Sequence, residues 1–261
     1  MDRISHPSGW RHDIPDGRDI NYVPPPGVLA ALPSKVDMTN SFPPVYYQGS
    51  IKDCTANAIA GAFQYEMIKK GEAAFKPSVL FIYYNQRVMQ NTVDFDSGAS
   101  LRDGIYSVKR WGVCEETLWP YRIPGVTKKP LELCYTAASK YKVISYYHLD
   151  QNIDQLKGCL ADGHPFVFGF SVYSSFKETD RLIIAPIPLN TEKKIFGHAA
   201  VAVGYDDSDK NFIVRNSWGN SWGDQGYFKM PYGYLLDKRL SSDFWTIRLI
   251  SDGAAPGAPG S

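Results

Sequence analysis

The chain has 261 residues, with 28 basic and 27 acidic side chains and a formal net charge of +1. That balance excludes a nucleic-acid or membrane-surface binder that works by bulk charge. Apolar residues make up 44% and charged ones 21%, an ordinary globular mix, and a chain this long buries about 70–75% of its unfolded surface without a disulfide or metal staple. Four cysteines, Cys54, Cys114, Cys134 and Cys159, are too sparse for a disulfide scaffold, so one cysteine with a chemical task fits the count.

Residues 1–31 are rich in Pro, Gly, Asp and Arg, with PPPG at 24–27, and read as an extended arm, not a packed unit. They hold no apolar run, so no secretory signal is expected in them. No stretch reaches the roughly 18 apolar residues of a membrane-spanning helix. The composition leaves localisation open between the cytoplasm and export after loss of a leader. A body is expected from 32 to 252 and a flexible tail over 253–261. From Cys54 to Lys70 the apolar residues Ala56, Ile59, Ala60, Phe63 and Met67 follow a helical period. Gly71 is expected to close that helix and Ser50-x-x-Asp53 to cap its start as a capping box. Pro77-Ser78 opens a second helix through Arg87, and Ser100-x-x-Asp103 a third that Gly112 ends. A shorter helix starts at Asp150 and ends near Gly163. The second half reads as strands over 166–173, 198–205, 212–216, 227–230 and 244–250. Helices first and strands later predict an α+β fold, a helical lobe on an antiparallel β lobe with a cleft between them.

Cys54 at a helix start feels the positive end of the helix dipole and free backbone amides, both of which favour the nucleophilic thiolate. His198 opens the strand HAAVAVGY, and Asn216 follows 18 residues later. If the two strands form a hairpin, Asn216 can hold one imidazole nitrogen and leave the other for the thiol. Gln48, six residues before Cys54, can reach a developing oxyanion together with the Cys54 amide.

The order QG-x4-C, then GHA with His198 144 residues after Cys54, then NSWGNSWGDQGYF, resembles the papain-like cysteine peptidases, whose histidine follows the cysteine by about 130–150 residues. LRDGIYSVKRWGVCEETLWPY and HPFVFGFSVYSSF are similar to bacterial and archaeal members. The resemblance implies a papain-like fold, a helical lobe facing an antiparallel β-barrel-like lobe, in an endopeptidase that forms a thioester acyl-enzyme. It casts Cys54 as nucleophile, His198 as general base and acid, Asn216 as its orienting partner and Gln48 as oxyanion donor. Trp218 shields the His198–Asn216 bond. Gly98 and Ala99 are implied to bind substrate backbone, and Phe196 and Gly197 to border the pocket for the residue two before the cut. It implies peptide or protein substrates, a monomer, and no cofactor, metal, nucleic acid or membrane partner. The rival readings are an inactive papain-fold binding module and an acyl transferase with the same triad.

The chain also departs from the family pattern. The nucleophile stands in KDCT, where relatives usually have GSCW. Ile51 and Asp96 stand where many relatives place two half-cystines, which implies that this disulfide is absent. Asp53 beside the thiol adds a negative charge that opposes thiolate formation. DDSDKN at 206–211 lacks the glycine and glutamate of a calcium loop and reads as a polar turn. Cys114, Cys134 and Cys159 read as free buried thiols and His164 as structural. The arm, with Trp10 and its prolines for grip, is expected to cover the cleft or to be a disordered leader.

Overall fold

The computed structural model describes residues 9–71, 73–177 and 182–250; the tail expected over 253–261 lies outside them. In chain order the elements are α1 (Pro26–Ala30), β1 (Lys35–Asp37), α2 (Cys54–Lys69), α3 (Val79–Met89), α4 (Leu101–Trp111), α5 (Glu132–Ala138), β2 (Val143–His148), α6 (Ile153–Ala161), β3 (Phe166–Tyr173), α7 (Ser174–Lys177), β4 (Lys194–Asp206), β5 (Asn211–Arg215), β6 (Tyr227–Pro231), α8 (Tyr232–Leu236) and β7 (Ser241–Ile250). Helices α2 to α4 build one lobe. The strands form a seven-stranded antiparallel sheet in the order β2-β7-β3-β4-β5-β6, with β1 on β4.

Local chemistry sets the helix ends. Ser78 accepts from the Phe81 amide and Ser100 from the Asp103 amide, the side-chain caps that free N-terminal amides require. Gly112 ends α4 at φ +83°. The capping box expected at Ser50-x-x-Asp53 does not form: Asp53 is the N-cap of α2, and its side chain caps no amide. Its carboxyl is engaged elsewhere, as described below.

Helix α2 is buried on every side from Cys54 to Met67 and touches α3, α4, β4 and β7. Its buried polar groups are satisfied internally: Asn57 by Asp53, Gln64 by Tyr46, and Glu66 by His164 at 2.8 Å, as burial of polar atoms demands. Strands β3 and β4 are buried along nearly their whole length, which explains their largely apolar sequences. Their register pairs Phe170 with His198. The start of β4 at Lys194 places His198 inside the strand, not at its opening. The β4–β5 hairpin pairs Val201 with Arg215 and so delivers Asn216, the next residue, to the same end as His198.

Residues 9–31 differ from the extended, unpacked arm expected. Trp10 and Tyr22 are buried in the core, and Pro26–Ala30 is a helical turn with proline at its start, where the missing N–H is harmless. Tyr22 donates its amide to the His148 carbonyl at 2.7 Å, and His148 returns one to Ile20 at 2.9 Å.

Candidate active site

His198 Nε2 lies 2.8 Å from Asn216 Oδ1, and that oxygen also accepts the Ser217 amide at 2.8 Å. The Trp218 ring covers the imidazole at 4.8 Å between centroids, tilted 32°, and Phe170 closes an edge at 5.4 Å. Trp218 is fixed by an edge contact to Trp222 at 4.9 Å. Between them Gly219 takes φ +80°, a backbone state in which a Cβ is strained. Burial under Trp218 excludes water that would compete for the His198–Asn216 bond.

Cys54 is the first residue of α2 and is fully buried. The Ala199, Thr55 and Gly9 amides lie near enough to its sulfur to favour the thiolate, and Ala199 adjoins His198, which puts the thiol beside β4 at the histidine. Burial nevertheless dominates and pushes the thiol up to about 12.

Gln48 is fully buried and held by all four of its polar groups. Its amide donates to the Ser217 carbonyl at 2.9 Å. Its carbonyl accepts the Tyr121 hydroxyl at 2.6 Å, Oε1 accepts Ser217 Oγ at 2.5 Å, and Nε2 donates to the Ile51 carbonyl at 3.1 Å. Neither Tyr121 nor Ser217 was singled out from sequence. Tyr121 sits in the WPY of a loop 73 residues from Gln48, and no local pattern points to it.

Ile51 is core, and the Asp96 carboxylate accepts the Lys52 amide at 3.2 and 3.1 Å and the Tyr83 hydroxyl at 2.6 Å. The two positions that hold half-cystines in many relatives are therefore filled by an apolar contact and a carboxylate clamp. All four cysteines are free and buried. The carboxylates of the 206–211 turn face lysines: Asp206 Lys35 at 3.1 Å, Asp207 Lys157 at 2.7 Å, and Asp209 Lys229.

The arm lies in the cleft and touches both lobes. Gly9 donates its amide to Gly197 at 3.3 Å and accepts the Ala99 amide at 2.8 Å; Arg11 donates to the Ala99 carbonyl at 3.1 Å. Ala99 thus uses both backbone groups on the arm. Gly98 packs against the arm, where an added Cβ would lie 2.4 Å from the Gly9 carbonyl oxygen, while its amide donates to the Tyr83 hydroxyl at 2.8 Å and its carbonyl accepts Ser97 Oγ at 2.7 Å. Trp10 fills a slot floored by Gly169 and Gly197, where an added Cβ would lie 1.9 Å and 2.9 Å from its ring. Its Nε1 donates to Asp243 Oδ2 at 2.9 Å. Gly9 passes so close to the thiol that a Cβ there would lie 2.9 Å from Sγ and 2.4 Å from the Lys52 carbonyl oxygen. Phe196 sits edge-on to His198 at 6.5 Å.

Residues 32–239 match the profile described as papain family cysteine protease. The chain belongs to the papain family. It is 43% identical over 216 residues, 78% of this chain and 70% of the relative, to an uncharacterised peptidase C1-like protein of Acanthamoeba polyphaga mimivirus. Xylellain, a cysteine protease from Xylella fastidiosa, has a solved structure that matches with a TM-score of 0.89 at 46% identity, covering 95% of this chain and 98% of that one. Digestive procathepsin L 3 of Tenebrio molitor larval midgut matches with a TM-score of 0.71 at 16% identity, covering 88% and 74%; it shares the fold. The papain-like fold and a cysteine peptidase function therefore stand, and peptides or proteins are the substrate class.

Proposed function

We propose that Cys54 and His198 hydrolyse peptide bonds through a thioester, with Asn216 orienting His198. The His198–Asn216 bond roofed by Trp218, placed against the helix end that carries Cys54, carries this reading. The helix N-terminus and an adjacent imidazolium offset the cost of forming thiolate once water or substrate replaces the arm. Thiolate attacks the carbonyl carbon, and the oxyanion meets the Cys54 amide and the second Nε2 hydrogen of Gln48. As the C–N bond breaks, His198 passes its proton to the leaving amine. Water then attacks the thioester, giving a proton to His198, and the carboxylic acid leaves with Cys54 freed. A thiol-directed epoxide should add once, at Cys54, when a weakly bound peptide competes with the arm. Peptide mapping that places the adduct on Cys114, Cys134 or Cys159 would rule this assignment out.

The arm, in the same proposal, keeps the cleft closed until it is displaced. Asp13 fastens it: its carboxyl accepts Trp245 Nε1 at 2.8 Å and the Arg102 amide at 3.1 Å, and its own amide donates to Asp243 at 3.0 Å. Burial, then the Asp243 charge, raises the Asp13 carboxyl to about 7, against the opposing Trp245 and Arg102 contacts. A carboxyl raised in the docked state favours docking fully below its ordinary value near 4 and loses that contribution as pH rises through about 7. Nicking of the arm by an added endopeptidase should therefore quicken between pH 4 and 7 relative to an Asp13→Asn variant. Parallel pH profiles for the two proteins would refute the linkage.

A further inference from the structure

Asp53, beside the nucleophile and fully buried, has no part in the scheme above. Its Oδ1 accepts Asn57 Nδ2 at 3.0 Å, and its Oδ2 lies 2.8 Å from the Tyr121 hydroxyl. The same hydroxyl lies 2.6 Å from the Gln48 carbonyl. A phenol has one proton, and a backbone carbonyl can only accept. If Tyr121 gives its proton to Gln48, two oxygens remain face to face at 2.8 Å. They bond only if the carboxyl brings the second proton.

We propose that Asp53 is held as a neutral carboxylic acid which donates to Tyr121, and through Tyr121 positions Gln48 beside Cys54. The chain of donors runs from Asp53 Oδ2–H to the Tyr121 oxygen and from Tyr121 O–H to the Gln48 carbonyl. Each oxygen and hydrogen then has a partner, and the remaining carboxyl oxygen takes the Asn57 amide. The surroundings agree. Burial raises the Asp53 carboxyl well above the usual carboxylate range, the nearby Asp96 charge adds to this, and the Tyr121 bond, the backbone amide and the Arg87 charge oppose it. Arg87 is spent on backbone carbonyls, donating to Val93 at 3.2 Å, Phe95 at 2.9 Å and Val126. No Lys, Arg or His pairs with Asp53 among the described residues.

Two consequences follow for the thiol. A carboxyl one residue before the nucleophile carries no charge to oppose thiolate, so the helix N-terminus keeps its full effect on Cys54. The loop bearing Gln48 and the helix bearing Cys54 are tied through a single phenol, which fixes the spacing of the two oxyanion donors. This rests on the assignment of Cys54 and Gln48 given above.

The test has two readouts. Infrared difference spectra of the full chain against Asp53→Asn at neutral pH should show the carbonyl stretch of an un-ionised carboxylic acid, sensitive to deuterium and missing from the variant. A carboxylate band in its place would overturn the proposal. Peptide hydrolysis is then compared in full-length Gly9→Ala, whose added Cβ cannot fit beside Lys52. Asp53→Ala and Tyr121→Phe should lower kcat between tenfold and a hundredfold with KM little changed. Asp53→Asn, which keeps a donor towards Tyr121 and an acceptor for Asn57, should rescue what Asp53→Ala loses. Failure of that rescue in a variant whose thermal midpoint is unchanged would overturn the positioning role. A Gly9→Ala parent with no hydrolysis would overturn the peptidase assignment, and the infrared band would then decide the protonation state alone.

Discussion

Gly9→Ala raises peptide hydrolysis by the full chain at least tenfold, and it moves alkylation of Cys54 from strongly alkaline pH into the neutral range. The reason is steric before it is electrostatic. A Cβ at residue 9 would lie 2.4 Å from the Lys52 carbonyl oxygen and 2.7 Å from its carbon, backbone atoms that cannot swing away. The arm must lift, and water then reaches a sulfur whose burial holds it near 12 in the closed form. Trp10→Ala reaches the same end by subtraction. Emptying a slot built for an indole costs docking about 3 kcal/mol or more, over a hundredfold in the ratio of closed to open chains. Steady-state hydrolysis of a fluorogenic peptide and the pH profile of iodoacetamide uptake measure both variants. Rates equal to the parent would mean that the arm does not limit access to the cleft.

Cys54→Ala in the opened Gly9→Ala chain lowers peptide hydrolysis by a factor on the order of 10^6, the largest single effect expected. Without a nucleophile no acyl-enzyme forms, and what remains is the polarising effect of the donors around the site. The fold should survive, because the sulfur is lost from a helix end that keeps its backbone. A circular dichroism melt checks that the variant is folded, and active-site titration of the parent sets the scale. Turnover within a hundredfold of the parent would show that another residue attacks the carbonyl.

The sequence exposed those parts of the fold whose causes are local. Strand β3 has the expected bounds, 166–173, because an aromatic and β-branched run interrupted only by Gly169 and Ser171, between His164-Pro165 and Ser174, has few other uses. Helix α4 was legible from Ser100, Asp103 and Gly112 for the same reason. Strand β2 was missed: Ile144 is exposed and 145–148 are only half buried, so VISYYH shows no clean alternation. The meeting of His198 and Asn216 could be read from the 18-residue hairpin spacing and from the resemblance. The docking of the arm could not. Its glycines and prolines describe a loose segment, whereas its hold depends on Gly169, Gly197 and Asp243, between 159 and 233 residues from Trp10. Asp53 misled in part: read locally it caps the helix, but its carboxyl caps no amide and meets Tyr121, 68 residues further on.

The clamp of Asp96 on the Lys52 amide has a practical side. In a relative with half-cystines at these places, the loop before the nucleophile is stapled by a bond that a reductant cuts. Here the staple is a carboxylate on a backbone amide and a phenol, and no sulfur is spent on cross-linking. Strong thiol reductants therefore leave every fastening of this loop in place while keeping Cys54 reduced. The chemistry that protects the nucleophile and the chemistry that holds its loop do not compete.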